Sequence, residues 1–318
     1  MQNYIKVLKG GNTSSIQDKG RYGYQDKGIP PSGVVNLKNY IIANNLVGNK
    51  ILSEVIEIFF NGPTLEINID KISIALIGSL DSFIEIKNKN IKIFSGRSFN
   101  FIRGDIIHIH LSKDCLIGTL AISGNIKSDV FLGSKSTNPN IGVGGINGEF
   151  LKDGSKLFID NISISKEKYI QSDYIIPNEI ENINVLPNAH ENLFDISLID
   201  FFYSNSWTVS RNINRMGIIL DGNSYEYNLN KKLLSDGNIT GSIQMPSNGN
   251  PIILLPDRGT TGGYPKIASI ISSDLYKLSY LKPGRKISFK KVNYEYAIKE
   301  LKKEKIHLNK LLDNIREL

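Results

Sequence analysis

From Glu54 to Ser112 apolar and polar positions alternate. EVIEIFF, TLEINID, KISIALIG, SFIEIK, IKIFSG and IIHIHLS follow one another there. Each run is short, rich in β-branched residues, and bounded by Gly, Asn, Asp or Lys, which predicts antiparallel strands joined by tight turns. One earlier segment has a different period. LKNYIIANNLVGN, from Leu37, brings Tyr40, Ile41, Ala43, Asn44 and Val47 near one helical face, with Gly48 and Asn49 as the stop. A polar stretch from Ser165 to Asn192 carries few periodic apolar residues and includes DYIIPNEIENINVLPNAHEN, so it reads as a linker or long surface crossing. Strand-like texture returns in SWTVS, GSIQMP, NPIILLP, SIISSDLYKLSYL and KISFKKV. In the tail, Tyr294, Ile298, Leu301, Leu308, Leu312 and Ile315 fall at helical spacing among Lys and Glu.

The pattern predicts a mainly β chain with few helices. A β-rich N-terminal domain covers 1–165, a linker 166–192, a β-barrel domain 193–292, and an amphipathic helix 293–318 that docks on a barrel or a partner.

Composition changes this picture little. The 318 residues are 40% hydrophobic and 22% charged, an ordinary globular balance. The net charge of +7 comes from scattered bases without a basic arm, which argues against nucleic acid as the partner. The single cysteine, Cys115, excludes an internal disulfide and a cysteine-only metal cage, and is expected as a buried thiol. No stretch approaches the roughly 18 apolar residues of a membrane span, and the start lacks a signal peptide's apolar core. A soluble cytoplasmic protein is the expectation.

Candidate chemistry gathers where NPIILLP ends. DRGTTGGYPKI, residues 257–267, holds Asp257, Arg258, Thr260, Thr261, Gly262, Gly263, Tyr264 and Lys266. Adjacent glycines allow unusual dihedrals and close ligand approach, and free amides can form an anion nest. Arg258 and Lys266 suit a carboxylate or phosphate. The same residues also suit a glycine turn with a local Asp–Arg pair, and residue types alone leave both readings open. TSSIQDKGRYGYQDKGIPPSG brings Gln17, Asp18 and Arg21 together, and by itself reads first as a structured loop. A short echo links the two regions: Ser15-Ile16-Gln17 precedes Asp18 and Arg21, and Ser242-Ile243-Gln244 precedes Asp257 and Arg258. His108 and His110 share a strand face without a third ligand nearby, so no metal site is expected. GVGGINGEF lacks G-x-G-x-x-G spacing, and neither a P-loop nor a Gly-x-Ser-x-Gly motif occurs.

GSIQMPSNGNPIILLPDRGTTGGYPKIASI closely resembles the signature of the biotin-dependent carboxyltransferase-like family, also described as KipA-like or allophanate hydrolase subunit 2-like. TSSIQDKGRYGYQDKGIPPSG, FLGSKSTNPNIGVGGINGEFLKDG and SNSWTVSRNINRMGIILDG resemble its other segments in order. Together they span residue 4 to about 291. The chain departs from the family pattern at Val35-Asn36, at Glu149 and after Gly124.

The resemblance implies two cyclophilin-like β-barrel domains, and two partners, one KipI-like and one LamB/YcsF-like. It implies a share in an ATP-dependent 5-oxoprolinase that opens 5-oxo-L-proline to L-glutamate, with ATP and magnesium bound at the level of the complex. Two alternatives come with the family. One is carboxyl transfer from carrier-bound biotin to a urea-like amide. The other is a non-catalytic chain that titrates a KipI-like kinase inhibitor. No Met-Lys-Met acceptor occurs, so this chain is expected to carry no covalently attached biotin. A lactam is a poor electrophile, and its site must hold a carboxylate and the developing charge. On that reading Asp257 is the base or substrate-orienting acid. Arg258, Lys266 and the Thr260–Tyr264 loop hold the anion. Gln17, Asp18 and Arg21 complete the wall, with Arg215 and Gln244 as second choices.

Overall fold

The structure, a computed structural model, describes residues 2–50, 52–170, 181–223, 227 and 233–318. The chain forms two compact units. The first comprises Met1–Arg21, Ser32–Ile176 and His307–Leu318, and the second Tyr22–Pro31 and Pro177–Ile306.

Every run expected between Glu54 and Ser112 is a strand of the first unit. These strands are Val55–Phe59, Thr64–Asn68, Lys71–Ile77, Phe83–Ile86, Ile91–Phe94 and Ile106–His110. They join others in two seven-stranded sheets. Tyr4–Lys9 lies third in one, between Lys156–Asp160 and Thr64–Asn68. Ile117–Ile122 pairs with both Val55–Phe59 and Lys71–Ile77 in the other. Because side chains alternate across a strand, each sheet turns one row inward. Ile5, Val7, Leu65, Ile67, Ile74, Ile107 and Leu120 belong to the resulting core, all fully buried.

Helix α1, Leu37–Leu46, starts where the Asn36 side chain accepts a hydrogen bond from Asn39 N at 3.0 Å. It packs on the small side chains Ala75 and Ala121. Its buried set extends to Ile42 and Leu46, beyond the single expected stripe, because a second element packs against the same cluster. That element is the end of the C-terminal helix, which contributes Leu308, Leu311 and Leu312.

The tail departs from expectation in one respect. The helix runs Tyr294–Asp313, but Ile315–Glu317 is a strand antiparallel to Lys168–Ile170. Pairing with Lys168–Ile170 supplies partners for backbone groups of Ile315–Glu317 at the sheet edge. The expected linker 166–192 differs for the same reason, since Lys168–Ile170 and Asn182–Pro187 are both strands. Residues 171–180 of that segment lie outside the described residues.

In the second unit seven strands close into a barrel. In order these are Asn182–Pro187, Lys266–Ile270, Ser242–Gln244, Ile252–Leu254, Gly217–Asp221, Trp207–Asn214 and Lys286–Lys291. Cross-strand partners Ile218, Ile253 and Ile243 form an inner row without exposed surface. Helix α2, Ile196–Ser204, has no counterpart in the expected elements. It docks through Leu198 and Phe202, and Phe202 stacks on Phe289 at 4.9 Å. SIISSDLYKLSYL is also only partly strand, because Ser272–Tyr280 forms a tight helical run. Asp274 holds it by accepting from Asn184 N and Lys277 Nζ, both at 2.8 Å. Among the described residues no helix is long and apolar enough to cross a membrane.

Truncating Leu311 to alanine would open a cavity between the C-terminal helix and α1. The expected loss is about 2–4 kcal/mol, read as a lowered denaturant midpoint for the first unit. An unchanged midpoint would show that the tail's packing is incidental.

Candidate active site

Alternation in the barrel determines where a cavity can form. Residues paired across neighbouring strands share a face, so Ile219, Ile252 and Gln244 form a row on the opposite side from Ile218, Ile253 and Ile243. This outer row, with Leu254, floors a cavity of about 650 Å³. Asn238, Arg258, Gly259 and the Thr261–Tyr264 loop wall it on one side, and Arg211 and Asn212 on another. A bulge between Ile243 and Gln244, in the pairing with Lys266–Ile270, locally re-aims the strand at Gln244.

The loop after Ile252–Leu254 carries the residues singled out from the sequence, and the structure gives them different roles. Asp257 is buried and bound by Arg215, whose Nε donates to Oδ2 at 2.8 Å and whose Nη2 donates to Oδ1 at 3.2 Å. The main chains join too, with Asp257 N donating to Arg215 O at 3.0 Å. This two-pronged, buried pair fixes the loop. Neither residue lines the cavity.

Arg258 does line it. Its Nη1 donates to Thr240 Oγ1 and its Nη2 to Asn238 O, each at 3.0 Å. Its Nε is buried without a partner among the described residues. Burial presses the guanidinium below its ordinary value, with Tyr22 and Asp257 opposing the shift.

Lys266, expected to help hold the anion, does not line the cavity. Its Nζ is buried and donates to Asp236 Oδ2 at 2.8 Å and Gly237 O at 2.6 Å. The hydrogen bond from Lys266, and secondly that from Gly237 N, hold the Asp236 carboxyl below the usual range. His190 Nε2 lies 3.5 Å from the same carboxylate. The latch secures a small ladder in which Asp236 and Gly237 face Gly262 and Thr261. Gly262 and Gly263 do not adopt left-handed dihedrals, contrary to expectation. Gly262 serves close approach instead: a Cβ there would lie 2.7 Å from Gln244 Nε2 and 2.9 Å from Asn238 Nδ2. Thr260 is buried, and its carbonyl accepts from Asn238 N at 2.8 Å. Tyr264 is half exposed at the rim.

Gln17, Asp18 and Arg21 lie in the first unit, buried and hydrogen-bonded within it. Asp18 accepts from Gly20 N, Ser134 Oγ, Ser136 Oγ and Lys135 N at 2.6–2.8 Å. Arg21 donates to Phe131 O and Ser136 O. The glycine-rich segment 142–148 closes this cluster. Gly144 and Gly145 have positive φ and press against Ser136 and Thr137, where a Cβ would collide. That segment is therefore packing rather than a dinucleotide turn.

His108 and His110 do share a face, with ring centroids 4.4 Å apart. Each has its own partner: Thr64 Oγ1 for His108 at 2.7 Å and Glu85 for His110 at 3.0 Å. Among the described residues no cluster of ligating side chains could hold a metal ion. Cys115 is buried and its Sγ donates to Ile117 O.

Fold and cavity together describe a mainly β protein with a cavity on the outer wall of a barrel. The chain belongs to the carboxyltransferase domain family, whose model for subdomains A and B matches residues 27–291. It is 32% identical over 296 residues to the C subunit of 5-oxoprolinase from Escherichia coli K12, covering 93% of each chain. The same subunit from Haemophilus influenzae is 30% identical, covering 96% of this chain and 97% of its own. The crystal structure of the Kluyveromyces lactis urea amidolyase superposes with a TM-score of 0.88 at 26% identity. That match takes in 98% of this chain and 20% of the larger one.

Two measurements test this description. Asp257→Asn leaves Arg215 buried beside a neutral partner, so the second unit should lose about 3–5 kcal/mol and melt lower. An unshifted melt would show that the pair is dispensable. The second concerns pH. Burial, then His110, holds His108 below its ordinary value of 6.5, so the unfolded chain takes up that proton first. The contribution of His108 to stability is therefore complete above pH 6.5 and lost as pH falls below it. Glu85 is lowered to about 2, chiefly by its bond to Lys87 and then by His110, and its contribution fades between pH 4.5 and 2. His108→Gln should flatten the upper part of the stability curve.

Proposed function

We propose that this chain is the C subunit of an ATP-dependent 5-oxoprolinase, which hydrolyses 5-oxo-L-proline to L-glutamate together with KipI-like and LamB/YcsF-like proteins. The observation that carries this is the match to two 5-oxoprolinase C subunits along nearly the full length of both partners. Urea amidolyases, by contrast, match over only 17% of their own length.

The cavity suits such a substrate. Ile219, Ile252 and Leu254 offer apolar contact to ring methylenes, while Asn238, Gln244 and Arg258 offer hydrogen bonds to amide and carboxylate. Arg258 stabilises the substrate carboxylate or the oxygen on which charge develops. Asp257 and Arg215 hold the loop that presents Arg258.

The cavity lining contains no carboxylate, so its donors do not fit magnesium. ATP and magnesium are assigned to the complex as a whole, and no step in this cavity runs through them. A second reading is carboxyl transfer from carrier-borne biotin to a urea-like amide, favoured by the superposition on urea amidolyase.

The test is ATP-dependent glutamate release. The chain alone should be inactive, and activity should appear when both partners are added. Turnover by the single chain would defeat the proposal, as would bicarbonate-dependent carboxylation of urea without glutamate release. In the active complex Arg258→Ala should slow turnover by roughly tenfold to a thousandfold.

A further inference from the structure

The segment Ser-Ile-Gln occurs twice, at Ser15–Gln17 and Ser242–Gln244, each time at the end of a strand. The two glutamines have opposite surroundings. Gln17 is closed within the first unit. Its Nε2 donates to Ser15 Oγ at 2.9 Å and Thr137 O at 3.0 Å, and its Oε1 accepts from Gly33 N at 3.1 Å. Gln244 lines the barrel-wall cavity, is 6% exposed, and makes one long side-chain bond, Nε2 to Asn238 Oδ1 at 3.5 Å.

The orientation of the Gln244 carboxamide follows from its neighbours. Asn238 Nδ2 donates to the carbonyl of Gly259 at 3.2 Å. A carbonyl only accepts, so Asn238 must turn its oxygen towards Gln244, and Gln244 must answer with its nitrogen. That nitrogen lies over Gly262, where any side chain would displace it. The backbone at Gly259 thus fixes two amides in series. Gln244 Oε1 remains an acceptor without a partner among the described residues, beside the second N–H of Nε2. An acceptor left in this state on a cavity wall is completed by water or by a ligand N–H. On the same cavity wall stands Arg258, whose Nη1 and Nη2 donate to Thr240 Oγ1 and Asn238 O and whose Nε is enclosed by protein.

A carboxamide with a free oxygen and a free N–H is the complement of a cis-amide, which presents C=O and N–H along one edge. We infer that Gln244 pairs with the cis-amide edge of the ligand while the positive charge of the Arg258 guanidinium, on the same wall, favours a second oxygen on the same molecule. Gln244 is then the residue that requires a ring N–H, and the substrate class is a small cyclic or planar amide carrying a further carbonyl or carboxylate. The inference rests on the proposed function in taking this cavity as the substrate site.

Binding to the full chain is measured by calorimetry with four probes. These are 5-oxo-L-proline, its lactone analogue with ring oxygen in place of N–H, urea, and d-biotin. A site built to accept from an N–H rejects the analogue lacking it, so the lactam should bind at least about tenfold tighter than the lactone. Gln244→Met should abolish that preference. Arg258→Ala, which removes the charge, should weaken lactam and lactone alike. Gln244→Glu has nearly the native shape and should likewise lose tight lactam binding, so misfolding of the methionine variant does not decide the matter. Equal binding of lactam and lactone would overturn the inference, as would a preference that survives both Gln244 variants, or binding of none of the probes. Gln244-dependent binding of urea or d-biotin without 5-oxo-L-proline would uphold the cis-amide edge and remove the oxoprolinase reading. Glutamate release by the complex that is unaffected by either Gln244 variant would do the reverse.

Discussion

A closed barrel wall has two faces, and only the inner one can be filled by the barrel's own strands. In the second unit Ile218, Ile243 and Ile253 fill it. The alternating row then has to be covered from outside, and the loops at Asp236–Asn238 and Asp257–Tyr264 cover it incompletely. The cavity is a consequence of strand alternation combined with short covering loops. Its apolar floor and polar wall follow from the same geometry, since the floor is barrel strand and the wall is loop backbone with its attendant amides.

Charge follows a consistent rule in both units. Each conspicuous acid of a glycine-rich loop is taken up in holding that loop. Asp18 gathers backbone and hydroxyl donors from the 134–136 turn, Asp257 binds Arg215, and Asp236 binds Lys266. Polar groups of the cavity wall come instead from Gln244, Asn238 and Arg258, with Arg211 and Asn212 opposite them.

Much of the fold was legible from period-two alternation, because half-buried strands reveal themselves that way. Ile117–Ile122 escaped because all six of its residues are buried and show no alternation. Ile315–Glu317 escaped because its pairing partner is remote in the chain and its leading isoleucine fits helical spacing equally well. At the site, the loop Asp257–Ile267 stood out through its composition. The partnership of Asp257 with Arg215 did not, since nothing local joins residues so far apart. Residue types rank Gln244 below Asp257 and Lys266, yet it faces the cavity and they do not. The signal available in the sequence was the repeated Ser-Ile-Gln, whose two copies differ only in what surrounds them.

The strand Ile315–Glu317 also sets an order of events during synthesis. Its partner Lys168–Ile170, and every other strand of the two sheets, is translated earlier, as is all of the second unit. Domains generally fold as units while the chain emerges from the ribosome. Here the unit that begins first is completed last, and until then one edge of its sheet and the apolar side of α1 stand open. A ribosome stalled within residues 307–313 therefore holds a chain whose second unit is complete in sequence while its first still lacks its closing strand.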